Sequence, residues 1–423
     1  SLNTNIQSAL SGLPTQTVEY TGTDVDDLNQ FLQNNTGKIV QLTQDIQVYK
    51  NTNGSFGIIM VPSDTILDGN GHRLVMKAGY TEAPDVGVVL YVYKDGVIPS
   101  TNCGVKNLST DIPYVNSINV FSADNILIEN NTLNNATKSG IMISDEYGST
   151  VNGIIRGNTI NNVGDDAIAV YGNHSNLLID SNRISGAKGF AGIAISCLQN
   201  GQQIRVDNET TGPHDIIVTG NVISGCSGEA LYCIGSYKTY ITYNTLRDSI
   251  LEGVCLDSGC IGNYFAHNEV VNNGIAGGLP GVSIDNGIYN IVDSNNIYNN
   301  SCSGIKLVRT GLGNIIVNNI CTDNAYNQMG AKSSGIDIEP LAVETENLGY
   351  IDGLGSNWNV VLNNTVTGSH DFGVFIADDD TANNGGSSCE NVIMYNKFSS
   401  AYTFGAADFS SMSSTVKNNI TLN

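Results

Sequence analysis

The chain has 423 residues, enough to bury a large core in one domain or several. Only 14% of the residues are charged, yet the formal net charge is -22, which argues against nucleic acid or an anionic membrane surface as a partner. No apolar run reaches the length of a membrane span, and the opening "SLNTNIQSAL" lacks the basic and apolar regions of a signal peptide, so no membrane insertion is expected.

In chain order, residues 1–39 are expected to form an N-terminal segment with one short helix. In "TDVDDLNQFLQNN", Val25, Leu28, Phe31 and Leu32 make an amphipathic stripe behind an Asp-rich start. The stretch Val61 to Met76, "VPSDTILDGNGHRLVM", is expected to be a buried strand followed by a Gly-rich turn.

From residue 125 onward one theme recurs: an apolar run, Asn, an apolar residue, a polar turn, then Gly or Ala followed by alternating apolar residues. The Asn falls at 131, 158, 182, 221, 244, 268, 295, 319, 364 and 396, with most gaps between 23 and 27 residues. A unit of that size is too short for a βαβ crossover and has no helical period, so it predicts one turn of a solenoid. Stacked at the strand spacing of about 4.8 Å, successive turns pair their backbones and bury a continuous apolar column. At the bend, Asn tolerates a left-handed backbone, and its amide can bond the same amide one coil away. The expected fold is all-β, a parallel β-helix of about twelve coils over residues 40–423, with insertions at 198–213, 324–333 and 340–357. Nine scattered cysteines, with no CxxC pair, are expected to be core thiols. The five histidines are read as structural.

The repeat resembles the right-handed parallel β-helix proteins of the pectate-lyase-like superfamily, which includes pectate lyases, polygalacturonases, alginate epimerases and phage tailspikes. The resemblance implies that the N-terminal helix caps the open end of the solenoid. It also implies a polysaccharide substrate and an extracellular, cell-surface or virion location. One further column is apolar in every coil, four residues before each ladder Asn: Leu127, Ile154, Leu178, Ile217, Tyr240, Tyr264, Ile291, Ile315, Val360 and Val392. Facing outward, it would favour self-association, and trimers are usual among tailspike-like relatives.

Sites on such a fold lie on outer strand faces, in a groove walled by grown turns. Aligning the strand after each Gly places Asp337 and Glu339 on one face, about 6.5 to 7 Å apart by strand rise. A separation of that order suits the acid and base of an inverting glycosidase. Lys306 lies beside Asp337 on the preceding coil, Arg309 closes that strand, and Asp285 is one coil further. A mixed set of acids and bases pushes carboxyl pKa values apart. A second carboxyl pair is Glu229 and Glu252 in adjacent coils, with Tyr232 and Asp257 nearby.

"GDDAIAV" resembles the double-Asp strand of polygalacturonases, so Asp165 and Asp166 match that family's paired acids. The chain departs from that pattern at Ser139 and Ala191. No cofactor is expected beyond a calcium ion that the Asp-rich turn 377–384 could hold. The resulting expectation is a glycoside hydrolase acting on a polysaccharide, with catalytic residues Asp337 and Glu339 or Glu229 and Glu252. Substrate-binding roles are expected for Asp285, Lys306, Arg309, Asp165, Asp166, Tyr232 and Asp257. The alternatives are a polysaccharide lyase or epimerase, or a glycan-binding adhesin or fibre.

Overall fold

The computed structural model describes the chain except residues 51–56, 91, 94–96, 99, 198–211, 327–333, 341–354, 380–385 and 403. Most of the three expected insertions, and much of the Asp-rich turn 377–384, therefore lie outside the described residues. The fold is a β-solenoid of about 12 turns made of three parallel sheets. It divides into two compact units, chiefly Ser1–Ala194 with Pro213–Val222, and Ile223–Asn423 with Ile195–Leu198.

In the first unit each coil gives one strand to each sheet. One coil, for example, runs Asp124–Glu129, Thr132–Asn134 and Ile141–Ser144. Strands pair in register with the next coil: Ile126, Leu127 and Ile128 lie beside Gly153, Ile154 and Ile155. Alternate residues fill the interior, so Ile126 and Ile128 are wholly buried while Leu127 between them faces out.

Helix α2, Val25–Asn34, forms where the apolar stripe predicts it. Its N-cap Asp24 accepts from the Asp26 amide at 2.9 Å, and Val25, Leu28 and Leu32 are fully buried. Asn29 on this helix donates to the Ile58 carbonyl and accepts from the Met60 amide, both at 2.8 Å. The helix thereby satisfies backbone groups along the first strand of the third sheet, Ile59–Val61.

A second helix, α1 over Leu2–Ala9, has no counterpart in the sequence reading. Its Ile6, with Leu10 just after it, packs on Ile154 and Leu178, with Leu127 and Ile217 beside them. The first four members of the outward apolar column are thus covered by the chain's own N-terminus. In the second unit the same column faces out, with Tyr240 41% and Ile315 37% exposed.

The second unit repeats the design, its third sheet running through Leu231–Ile234, Val254–Asp257, Val282–Asp285, Ile305–Val308, Ser334–Glu339, Phe372–Ile376 and Phe404–Asp408. Buried Asn side chains stitch the coils. Each Asn carbonyl accepts from both the main-chain and side-chain amides of the preceding coil's Asn, along Asn244, Asn268, Asn295, Asn319, Asn364, Asn396 and Asn419. Two more ladders run through Asn263, Asn290, Asn314, Asn359 and Asn391, and through Asn273, Asn300 and Asn324. His370 ends the last one, its Nε2 accepting from the Asn324 amide at 3.1 Å. In the first unit His174 does a like job, accepting from Thr150 at Nδ1 and lying 2.7 Å from the Tyr171 carbonyl at Nε2. All nine cysteines are buried.

Candidate active site

Apart from Asp165 and Asp166, the expected acids collect along the third sheet of the second unit. Register sets Tyr232 beside Cys255, Cys255 beside Ser283, Ser283 beside Lys306, and Lys306 beside Asp337. A second column carries Ile234 beside Asp257 and Asp285 beside Val308 and then Glu339. The two carboxyl sets that the sequence presents as rivals therefore share one continuous face. A cavity of about 150 Å³ on this face is lined by Glu252, Ser283, Asp285, Lys306 and Arg309, with Pro280 at one side; Asp337, Glu339 and Glu229 do not line it. A larger hollow of about 420 Å³ in the first unit holds Asp45 and His72 but no convergent carboxyl pair.

Two acids, Glu252 and Asp285, line this cavity, and Glu229 and Asp257 act on them from beside it. Glu252 is 9% exposed, and burial followed by repulsion from Glu229 raises its pKa to about 8. Glu229, one coil away, is raised to about 7 by burial and by Asp257. Asp285 is raised to about 6 by burial and Asp257, while an ion pair to Arg309 opposes the rise. Asp257 accepts a 2.6 Å hydrogen bond from the Tyr232 hydroxyl and is held at its other oxygen by the Ser258 amide and hydroxyl. Beneath these groups Cys255 is 5% exposed, and burial together with the surrounding acids drives its pKa well up, so the thiol is not a thiolate nucleophile.

Arg309 owes its position to the backbone. It follows directly on the strand Ile305–Val308 with φ at +62°, a left-handed conformation that turns the chain and leaves the guanidinium on Asp285.

The first-named pair takes a different form. Glu339 is ion-paired to Lys306 at 2.9 Å. Asp337 is wholly buried, and neither of its oxygens accepts a hydrogen bond. Burial first, then the Glu339 charge, raises its pKa well above the usual carboxylate range, so the group is held neutral. It cannot touch a substrate from there. Its place in the register beside Lys306 is as expected from the sequence; its lack of exposure comes from packing by the neighbouring coils, among them Phe375 directly beside it.

Asp165 and Asp166 lie in the first unit. Asp166 is wholly buried, accepts from the Ala191 amide at 2.9 Å and takes a short hydrogen bond from the Tyr171 hydroxyl. Asn116 holds the Ser139 amide in the same way, at 3.0 Å, so Asp166 fills a backbone-clamping position of the repeat. Burial raises the pKa of Asp165, with Lys138 opposing. Among the described residues no group of three or more His, Cys, Asp and Glu is placed to hold a metal ion.

Residues 90–270 match the family model described as a right-handed β-helix region. Among solved structures, a variant of the periplasmic alginate epimerase AlgG superposes with a TM-score of 0.54 at 14% identity, covering 86% of this chain and 85% of that one. The tailspike protein of E. coli bacteriophage HK620, in complex with a pentasaccharide, superposes with a TM-score of 0.51 at 15% identity, covering 92% and 73%. The Azotobacter vinelandii mannuronan C-5 epimerase AlgE6 A-module aligns at 14% identity over 95% and 100%, with a TM-score of 0.49. No curated protein matches by sequence. The chain is a right-handed parallel β-helix whose structural neighbours are alginate epimerases and a phage tailspike.

Proposed function

We propose that the protein is a glycoside hydrolase that cuts a polysaccharide lying along the outer face of the third sheet in the second unit. The observation that carries this reading is the pairing of Glu252 and Asp285 on one cavity with their pKa values pushed apart, to about 8 and about 6. Near neutral pH Glu252 keeps its proton and Asp285 does not. Glu252 then protonates the glycosidic oxygen as the bond to the anomeric carbon breaks. The Asp285 carboxylate, oriented by Arg309, activates water or attacks that carbon. Glu229 contributes by keeping Glu252 protonated, since two stacked carboxyls cannot both ionise cheaply. Lys306 is a binding residue, anchored by Glu339.

A lyase or epimerase would need a cation to neutralise a uronate carboxylate. Among the described residues the cations lining this cavity are Arg309 and Lys306, and both are paired with carboxylates. That favours hydrolysis of a neutral or weakly charged glycan, in keeping with the net charge of -22. Incubation with a polysaccharide panel tests the reading: new reducing ends without an unsaturated product support it. An ultraviolet-absorbing unsaturated uronate would replace it with a lyase, and tight glycan binding with no new ends would replace it with an adhesin.

A further inference from the structure

The outer face that holds the cavity changes character three and four strands beyond that of Asp285. Register there runs from Ser334 to Phe372 to Phe404 and from Asp337 to Phe375 to Ala407. Four phenylalanines form one plate: Phe372 stacks on Phe404 with ring centroids 5.9 Å apart and planes 12° apart, and Phe409 meets Phe375 at 5.3 Å and Phe372 at 6.3 Å. Phe372 and Phe375 are buried beneath, whereas Phe404 is 52% and Phe409 46% exposed. Leaving two such rings half in water forgoes part of the stabilisation that their burial would give. The rings underneath lock their orientation, which is what a recognition surface needs and a folding core does not.

We infer that this plate is a sugar-stacking subsite for the distal part of the chain cut at Glu252 and Asp285, which makes the enzyme endo-acting on a long, uncharged glycan; the inference rests on the hydrolase reading. The occupant follows from continuity: plate and cavity lie on one outer face of one sheet, so an extended chain held at one passes over the other. Four strand spacings of about 4.8 Å put the plate ~19 Å from the strand of Asp285. A sugar residue is about as long as one spacing, so roughly four residues bridge the gap. The apolar CH face of a pyranose fits an exposed ring.

The test uses affinity electrophoresis through gels cast with each polysaccharide of a panel, comparing the wild type, Glu252→Gln, and the double variant Phe404→Ala/Phe409→Ala. The inference expects wild type and Glu252→Gln to be retarded on at least one glycan and the double variant to lose at least tenfold in affinity, with its melting temperature unchanged or raised. Equal retardation of the double variant, or no retardation of the wild type on any gel, overturns it. So does concentration-dependent association in light scattering that the double variant abolishes, since a second copy would then be the occupant. Reducing-end release is read in parallel: a wild type that is retarded through the plate yet releases no ends removes the hydrolase and keeps the subsite. The double variant cutting long and short chains with an unchanged KM removes the subsite and keeps the hydrolase.

Discussion

Lys306 and Glu339, on neighbouring strands, form a 2.9 Å ion pair, and the residue that register sets directly opposite Lys306 is the buried, neutral Asp337. The ion pair keeps only a small part of its two side chains exposed, and the acid beside it is packed away altogether. Asp337→Asn should therefore leave activity within about twofold and stability within about 1 kcal/mol, because a neutral group replaces a neutral group of the same shape. Lys306→Met should cost about 3–5 kcal/mol, since it strands Glu339 in a nearly closed site. Urea denaturation and the reducing-end assay check both; a collapse of activity in Asp337→Asn would return the acid role to that residue.

The pH profile of kcat/KM should be bell-shaped. Its acid limb belongs to Asp285, which must lose a proton near pH 6, and its alkaline limb to Glu252, which must keep one up to about pH 8. Arg309→Met removes the charge that opposes the rise at Asp285 and should move the acid limb to higher pH with the alkaline limb in place. A profile unmoved by Arg309→Met would show that Asp285 does not set that limb.

Stability should fall as pH rises. Glu229 and Glu252 have folded pKa values of about 7 and 8, above the ordinary glutamate value of 4.5, so between those limits the folded state binds more protons than the unfolded state. The stabilisation is fully present below pH 4.5 and is lost as pH climbs through 7 and then 8, on the order of 3–5 kcal/mol per carboxyl. Melting scans from pH 5 to 9 should show the decline, and Glu252→Gln should flatten it.

Asn295 donates to the Phe265 carbonyl and the Asn319 side chain and accepts from both amides of Asn268. Asn295→Ala leaves several buried groups unpaired at about 1–3 kcal/mol each, so a loss of about 3–5 kcal/mol is expected in chemical denaturation.

Tyr395 sits in a left-handed conformation with φ at +57° and is half exposed, at the turn position where other coils carry Asn363 and Asn418. Tyr395→Asn should stabilise by up to about 1 kcal/mol, because Asn adopts that conformation at lower cost. A destabilised variant would mean the ring makes a contact worth more than the strain.

The ladder Asn positions carried the fold because a solenoid repeats its physics in its sequence. A turn that buries a self-complementary amide writes Asn at the same place in each coil, and Asn131 to Asn396 reveal it; the left-handed conformation expected of these Asn falls instead on the residue before each, as at Asn130, Asn363 and Tyr395. The second and third ladders, Asn263 to Asn391 and Asn273 to Asn324, were less legible: His370 replaces Asn at the end of one, and both cover fewer coils. Helix α1 escaped because it binds an outer face far along the chain, at Ile154 and Leu178, which no local pattern encodes. Register was readable, and so Lys306 beside Asp337 was placed correctly. Depth was not: alternation says which way Asp337 points, while its burial depends on Phe375 and the coils around it. For the same reason the shared cavity of Glu252 and Asp285 could not be seen, since it depends on Pro280 and Arg309 closing around two acids from different coils.

The most direct test of the hydrolase account is reducing-end release from a polysaccharide that the wild type cleaves, measured side by side for Glu252→Gln and Asp285→Asn. Both variants should stay folded and lose at least 100-fold in rate. Cleavage at the wild-type rate by either one would contradict the assignment of the acid and its partner to this cavity.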